Sequence, residues 1–338
     1  MEKPFNQKVI VFAICLAILI AGCEPSSDVS TTSTPVPTDT VVAPPTLTAT
    51  AVVPLAVLLL PSDLDPEISN SYQTTVYDLA QASGLRYQVR NSLAPEEIEP
   101  GLKVVIALPP DPGVAALAAA APDVQFLAIN IPEIAPGGNI SALGETGQSD
   151  IAGFLAGYTA ALVTDDYRIG MLMPKDNPDA IRAFNSFNTG MKYYCGLCRT
   201  LYFYANPFPQ YVEIPSDADP VTYGAYADIL ILQYKIGTIF VYPDIATPDL
   251  TNYIGTTGVY MIGTKTPEEL PAGWVMTIQP DIIKAIQNAW PSLIRGEGGV
   301  TVQSPLGISA VDSTILSAGK LRLVEETLSE LQSGRIVP

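Results

Sequence analysis

Histidine is absent from all 338 residues of this chain. Its absence excludes Ser-His-Asp triads, His-ligated zinc and imidazole general bases. Cations are scarce as well: 17 Lys and Arg stand against 34 Asp and Glu, a formal net charge of −17 at pH 7. So acidic a chain lacks the electrostatic footprint of a nucleic-acid partner. No phosphate-cradling loop, metal-ligand spacing or nucleophile constellation occurs, so neither an enzyme nor a cofactor or metal is expected. No apolar run is long enough to cross a bilayer as a mature helix. What is abundant is Ala, Ile, Leu and Val. These supply a large buried core, and the length allows two domains of ordinary size.

The N-terminus carries Lys3 and Lys8, then an apolar run from Val9 to Ile20, then Ile20-Ala21-Gly22-Cys23. This order describes a secretory signal over residues 1–22. A cysteine directly after "IAG" resembles the lipobox of bacterial lipoproteins. That resemblance implies diacylation at Cys23 and an extracytoplasmic protein anchored to the cell membrane without a span. Residues 23–53 follow as a tether; the stretch 24–53 is rich in Ser, Thr and Pro and holds no Lys or Arg. Such a segment buries too little apolar surface to offset its ordering entropy. In a polyproline-like state, at about 3.1 Å per residue, it reaches on the order of 90 Å.

Only four cysteines are present. Cys15 leaves with the signal and Cys23 takes the lipid, so Cys195 and Cys198, in "KYYCGLCR", remain as thiols. Outside the cytoplasm such a pair tends to oxidise. The motif follows a helix expected to end at Tyr194 and precedes a strand expected at "TLYFY" (200–204). Redox C-x-x-C centres sit at helix starts, whereas the negative end of a helix disfavours a thiolate. A short structural disulfide is therefore expected, with a thiol–disulfide enzyme as the competing reading.

From Pro54 onward, strands and helices alternate. "LAVLLL" (55–60) reads as a strand buried on both faces. Asp65-Pro66-Glu67 reads as a helix start, followed by a stripe of Ile68, Tyr72, Val76 and Leu79. "LRYQV", "KVVIAL" (103–108) and "VQFLAI" (124–129) read as strands, with an Ala-rich helix at 113–121. "SDIAGFLAGYTAALV" (149–163) is apolar all round and reads as a buried helix, in which Gly153 and Gly157 permit close backbone approach. A second series starts at "RIGMLM" (168–173). A helix capped by Asn177 carries Ile181, Phe184, Phe187, Met191 and Tyr194. Strands are expected at 237–242, 258–264, 274–278 and in "VTVQSPLG", and helices near 219–235, 247–256, 280–295 and 314–333. Two such series imply an α/β fold of two lobes, each a parallel sheet flanked by helices. The binding site is then expected in the cleft between lobes, at the carboxyl ends of strands.

The stretch "GQSDIAGFLAGYTAALVTDDYRIGMLM" with "AIRAFNSFNTGMKY" resembles the basic membrane lipoprotein family. Those are type I periplasmic-binding-protein-like lipoproteins whose known members bind purine nucleosides for ABC transporters. "APDVQFLAIN" (121–130), "GGVTVQSPLGISAVD" and "LSELQSGRI" resemble further parts of that family, and the likeness runs in order over about residues 55–336. It implies two discontinuous lobes with a hinge between them: 54–164 plus 275–296, and 165–274 plus 297–338. It also implies a small-molecule ligand, an ABC permease partner and a monomer. This chain departs from the family where ligand is held. Ser62-Asp63 replaces a Thr-Asp, and Ser71-Tyr72-Gln73 replaces a Ser-Phe-Asn. Tyr242-Pro243-Asp244 stands for a Gly-rich loop, and Gly263-Thr264-Lys265 for a ribose-binding Asp.

Strand-end positions nominate Ser62, Asp63, Asp111, Asn130, Lys175, Asp176, Asn206, Tyr242, Asp244, Thr264 and Lys265 as ligand contacts, and the resemblance adds Tyr72. Tyr72 also lies on an apolar stripe, so core packing competes with base stacking. Asp244 and Lys265 end neighbouring strands and are candidates for pairing with each other as well as for ligand. A sensory or scaffold lipoprotein with a decayed cleft is the alternative function.

Overall fold

The structure, a computed structural model, describes residues 52–144, 147–196 and 207–338. The first lobe begins with β1 (Leu55–Leu59), α1 (Pro66–Ala82), β2 (Arg86–Arg90), β3 (Leu102–Ala107), α2 (Val114–Ala120), β4 (Gln125–Ile129) and β5 (Ile140–Gly144). The chain then crosses to α3 (Ser149–Val163), β6 (Ile169–Pro174), α4 (Pro178–Cys195), β7 (Gln210–Ile214), α5 (Tyr223–Asp228), β8 (Thr238–Val241), α6 (Pro248–Gly255), β9 (Tyr260–Gly263) and β10 (Trp274–Pro280). It returns through α7 (Ile282–Arg295) and β11 (Thr301–Gln303), and ends with β12 (Leu306–Ser309) and α8 (Ala318–Gln332).

These strands form two six-stranded sheets, β11-β5-β4-β3-β1-β2 and β12-β10-β9-β8-β6-β7. Every strand pair is parallel except β10 with β12. The continuous apolar run of β1 is explained by burial on both faces. Ala56 and Leu58 pack with α1 and α7, through Val76 and Trp290, while Leu55, Val57 and Leu59 pack with α2 through Val114 and Leu117. The helix starts follow their caps. Asp65 Oδ1 accepts from the Glu67 and Ile68 backbone N–H groups at 2.9 and 3.1 Å, and Asn177 Oδ1 does the same for Asp179 and Ala180 at 2.9 and 3.0 Å.

Helix α3 is buried from Gly153 to Val163, as its all-round apolar sequence predicts. Its neighbours decide its lobe: it packs on α4, α8 and the second sheet, within the second lobe's core. The expected segmentation therefore shifts in three places. Residues 149–163 belong with the second lobe instead of the first, because their partners are Ala183, Phe187 and Phe240. Strand β10 hydrogen-bonds to β9 and so joins the second sheet, while α7 after it packs on the first. The expected single strand "VTVQSPLG" is broken at Ser304-Pro305 into β11, in the first sheet, and β12, in the second. Pro305 has no N–H to continue a ladder.

Two further strands, β5 and β7, were not expected, and "TLYFY" lies outside the described residues. The stripe on α4 also differs. Ile181 is 44% exposed and Tyr194 39% exposed, and the buried face runs through Ala180, Ala183, Phe187, Gly190 and Met191. The expected helix at 219–235 is a short 3-10 turn, then α5, then a π-turn over Ile229–Gln233.

Tyr87 on β2 packs edge-on against Tyr77, with ring centroids 5.9 Å apart, and its hydroxyl is buried with no protein partner. Burial pushes its pKa up from 10.0 to about 12. The folded state thus holds the phenol proton more tightly than the unfolded state does. This contribution is complete below pH 10.0 and is lost as pH rises through about 12. Tyr87→Phe is expected to equal or exceed the parent in stability at neutral pH and to decline less steeply in that alkaline window. Urea midpoints measured across it test this, and parallel declines in the two proteins would exclude Tyr87 as the titrating group.

Candidate functional site

Three described segments lie where the chain passes between lobes: Gly147-Gln148 before α3, Pro280-Asp281 before α7, and Ser304-Pro305 before β12. Hydrogen bonds tie them together. Gln148 Nε2 donates to the Ser304 carbonyl at 2.9 Å, linking the first and third. The Asp281 N–H donates to the Pro305 carbonyl at 2.7 Å, linking the second and third. The Asp281 side chain meanwhile caps α7, accepting from the Lys284 N–H at 2.8 Å.

A cavity of about 420 Å³ rests on these crossovers, at the carboxyl ends of β8 and β9. Gln148, Ser149, Pro280 and Leu306 bring the crossing segments into its wall; Phe240 and Ile278 give it apolar surface. Its volume falls within the roughly 300–1,000 Å³ of small-molecule sites. Polar groups come from Asn177, Asp179, Tyr242, Asp244 and Thr264. Asp244 Oδ2 accepts from Asn177 Nδ2 at 2.9 Å, and Asp179 pairs with Arg182. Burial, reinforced by the neighbouring Asp244 carboxylate and opposed by Arg182, pushes the Tyr242 pKa up, so its hydroxyl stays a donor. The side-chain oxygens of Ser149 and Thr264 are buried without a protein partner.

Of the residues nominated from sequence, Tyr242, Asp244 and Thr264 meet in this one cavity. The others are dispersed. Tyr72 is 9% exposed: it packs in the first lobe's core and also borders a second cavity of about 410 Å³, against Ser71, Gln279 and Asp281. Burial raises its pKa. Asn130, in a left-handed conformation (φ 47°), opens onto a third cavity with Gly144 and Thr301. Lys265 lines a fourth with Glu268 and Glu269, and pairing with Asp244 is replaced by the Asn177–Asp244 bond. Asp111 holds the turn that leads into α2, its Oδ1 accepting from the Gly113 and Val114 N–H groups at 2.9 Å. Ser62, Asp63, Lys175 and Asp176 are exposed and border none of these cavities. Asn206, Cys23 and Cys198 lie outside the described residues; Cys195 takes part in a disulfide.

Sequence reasoning missed Gln148, Ser149 and Asp179. The first two follow β5, whose "ISALG" carries Ser and Gly and lacks the continuous apolar run of a buried strand, so strand-end logic does not reach its carboxyl end. Asp179 has the sequence signature of a first-turn helix acid after the Asn177 cap, which carries no mark of a cavity. Among the described residues, no group of three or more His, Cys, Asp or Glu is placed to hold a metal ion.

No protein-family profile matches this chain. No curated protein matches it either. Among solved structures, a transcriptional activator of the comK gene from Bacillus halodurans superposes with a TM-score of 0.50 at 11% identity, covering 84% of this chain and 99% of that one. An ABC transporter system solute-binding protein from Aeropyrum pernix K1 gives 0.42 at 14% identity, covering 85% and 93%. A LacI family transcriptional regulator from Enterococcus faecium, with bound ribose, gives 0.39 at 14% identity, covering 75% and 96%. At these identities the likeness is one of fold alone, that of two α/β lobes each built on a sheet flanked by helices.

Proposed function

We propose that this chain is a lipid-anchored, extracytoplasmic solute-binding protein. It captures a small polar solute beside the lobe crossovers and presents it to an ABC importer. The carrying observation is the cavity of about 420 Å³, in which Tyr242, Asp244, Thr264 and Ser149 converge on the segments that join the lobes. A ligand seated there contacts the hinge itself, so occupancy favours one relative position of the lobes. Within this reading residues 1–22 are removed, Cys23 carries the acyl chains and residues 23–53 are the tether. Cys195 and Cys198 form a short staple at the end of α4.

A purine nucleoside is the first ligand to test, on the strength of the family resemblance. Thermal unfolding of protein refolded from denaturant, to strip carried-over solute, is measured with nucleosides, sugars and amino acids. Binding at a hundredfold excess over Kd stabilises by about 2.7 kcal/mol. A melt unmoved by every solute favours the second reading, a sensory or scaffold lipoprotein. That reading draws on the first lobe, where Ser62 and Asp63 are exposed and add nothing to the cavity.

A further inference from the structure

We infer that Ser149 and Thr264 determine specificity in this cavity: together they hold a neutral donor–acceptor group of the solute, and the site rejects anions. The inference rests on the solute-binding reading above and narrows its ligand class.

The two residues come from separate elements, Ser149 from the first turn of α3 and Thr264 from the turn after β9, yet border the same cavity. Each side-chain oxygen is buried with less than 1 Å² accessible and no protein partner. Among the described residues Tyr87, Thr159 and Ser304 carry the other buried, unpartnered side-chain oxygens, and none of the three borders this cavity; hydroxyls on neighbouring turns do find partners. Thr266 Oγ1 donates to Thr277 Oγ1 at 3.1 Å, and Thr247 Oγ1 accepts from the Leu250 N–H at 3.2 Å. A buried hydroxyl without a partner destabilises the fold, so two bordering one cavity point to a function that uses them. A hydroxyl both donates and accepts, so a pair matches a solute edge that does the same, such as a hydroxyl or a carboxamide.

The charge pattern sets the second half of the inference. Among the described residues, the charged side chains bordering the cavity are Asp179 and Asp244, and no Lys or Arg borders it. Arg182 pairs with Asp179, whereas Asp244 accepts from the uncharged Asn177 amide and lies beside the Tyr242 hydroxyl. The nearest lysine in sequence, Lys265, opens onto another cavity beside Glu268 and Glu269. A phosphate or carboxylate would thus face the Asp244 carboxylate, while Arg182, the cation that acts on Tyr242, is already paired with Asp179; the site discriminates by repulsion. Tyr242, kept protonated, adds a further neutral donor.

The test uses neutral and anionic probes that share a body: adenosine with adenosine monophosphate, and ribose with ribose 5-phosphate. Binding to the stripped protein is measured by calorimetry, and melting of the Ser149→Ala/Thr264→Val variant is measured with no solute added. Each phosphate is expected to bind at least tenfold more weakly than its neutral parent. The variant is expected to melt at a higher temperature than the parent and to lose at least tenfold in affinity for the neutral probe. Equal binding of the two members of a pair overturns this inference and leaves the solute-binding reading standing. So does a variant that keeps full affinity, or one that melts lower, since that would make the hydroxyls structural. If no probe of either charge binds, the solute-binding reading falls first and this inference with it.

Discussion

Replacing Gly157 with alanine is expected to destabilise the fold by about 3 kcal/mol or more, the range of severe overpacking. A Cβ on Gly157 would lie 2.0 Å from the Phe187 carbonyl oxygen. Its neighbours on the same seam are as tight: Gly153 would meet the Ala183 oxygen at 2.1 Å, and Gly190 the Phe154 oxygen at 2.0 Å. The obstructing atoms are backbone, so no side-chain rotation relieves the clash. Helix α3 would have to move off α4, opening the core around Phe154, Phe187 and Phe240. Gly319→Ala in α8 is the control, because nothing lies within 4 Å of its added methyl. It is expected to be neutral or to stabilise by up to about 1 kcal/mol. Urea unfolding of both variants decides the matter. A Gly157→Ala midpoint equal to the parent's would mean that α3 and α4 are not in backbone contact.

The second large effect is expected on binding. Asp244→Ala should weaken the solute that stabilises the parent by roughly 10- to 100-fold, the value of about 1.5–3 kcal/mol for a hydrogen bond to a charged group. Its fold should survive. Asp244 is exposed on its turn, and Asn177 keeps its capping bonds to Asp179 and Ala180 when the carboxylate goes. Ser62→Ala, at the end of β1 in the other lobe, is expected to bind within about twofold of the parent, since surface changes of this kind are usually within about 0.5 kcal/mol. If Ser62→Ala loses the solute and Asp244→Ala keeps it, the ligand sits on the first lobe and the cavity is not the site.

Much of the architecture is legible locally. The apolar runs of β1, β3, β4 and β6 and the caps at Asp65 and Asn177 require only nearest neighbours in the chain, because burial on two faces and capping geometry leave direct compositional marks. The glycine spacing in α3 likewise announces a close backbone contact before its partner is known. Strand-end logic is coarser: it says which side of a sheet a residue is on, not which cavity its side chain enters. That is why Tyr242, Asp244 and Thr264 converge while Lys265, one residue beyond Thr264, opens elsewhere.

By itself, the sequence determined the two-series α/β plan, the buried character of α3, the helix starts at Asp65 and Asn177, and the unsuitability of this chain for imidazole chemistry. Tertiary structure alone decided that α3 and β10 belong to the second lobe, that "VTVQSPLG" divides between two sheets, and that Gln148 and Ser149 join the cavity. The physical reason is common to all three. Composition and periodicity report how deeply a segment is buried, whereas its partner is chosen by hydrogen-bond ladders and packing with other segments, from neighbours such as β9 and β10 to residues as distant in the chain as Gln148 and Ser304.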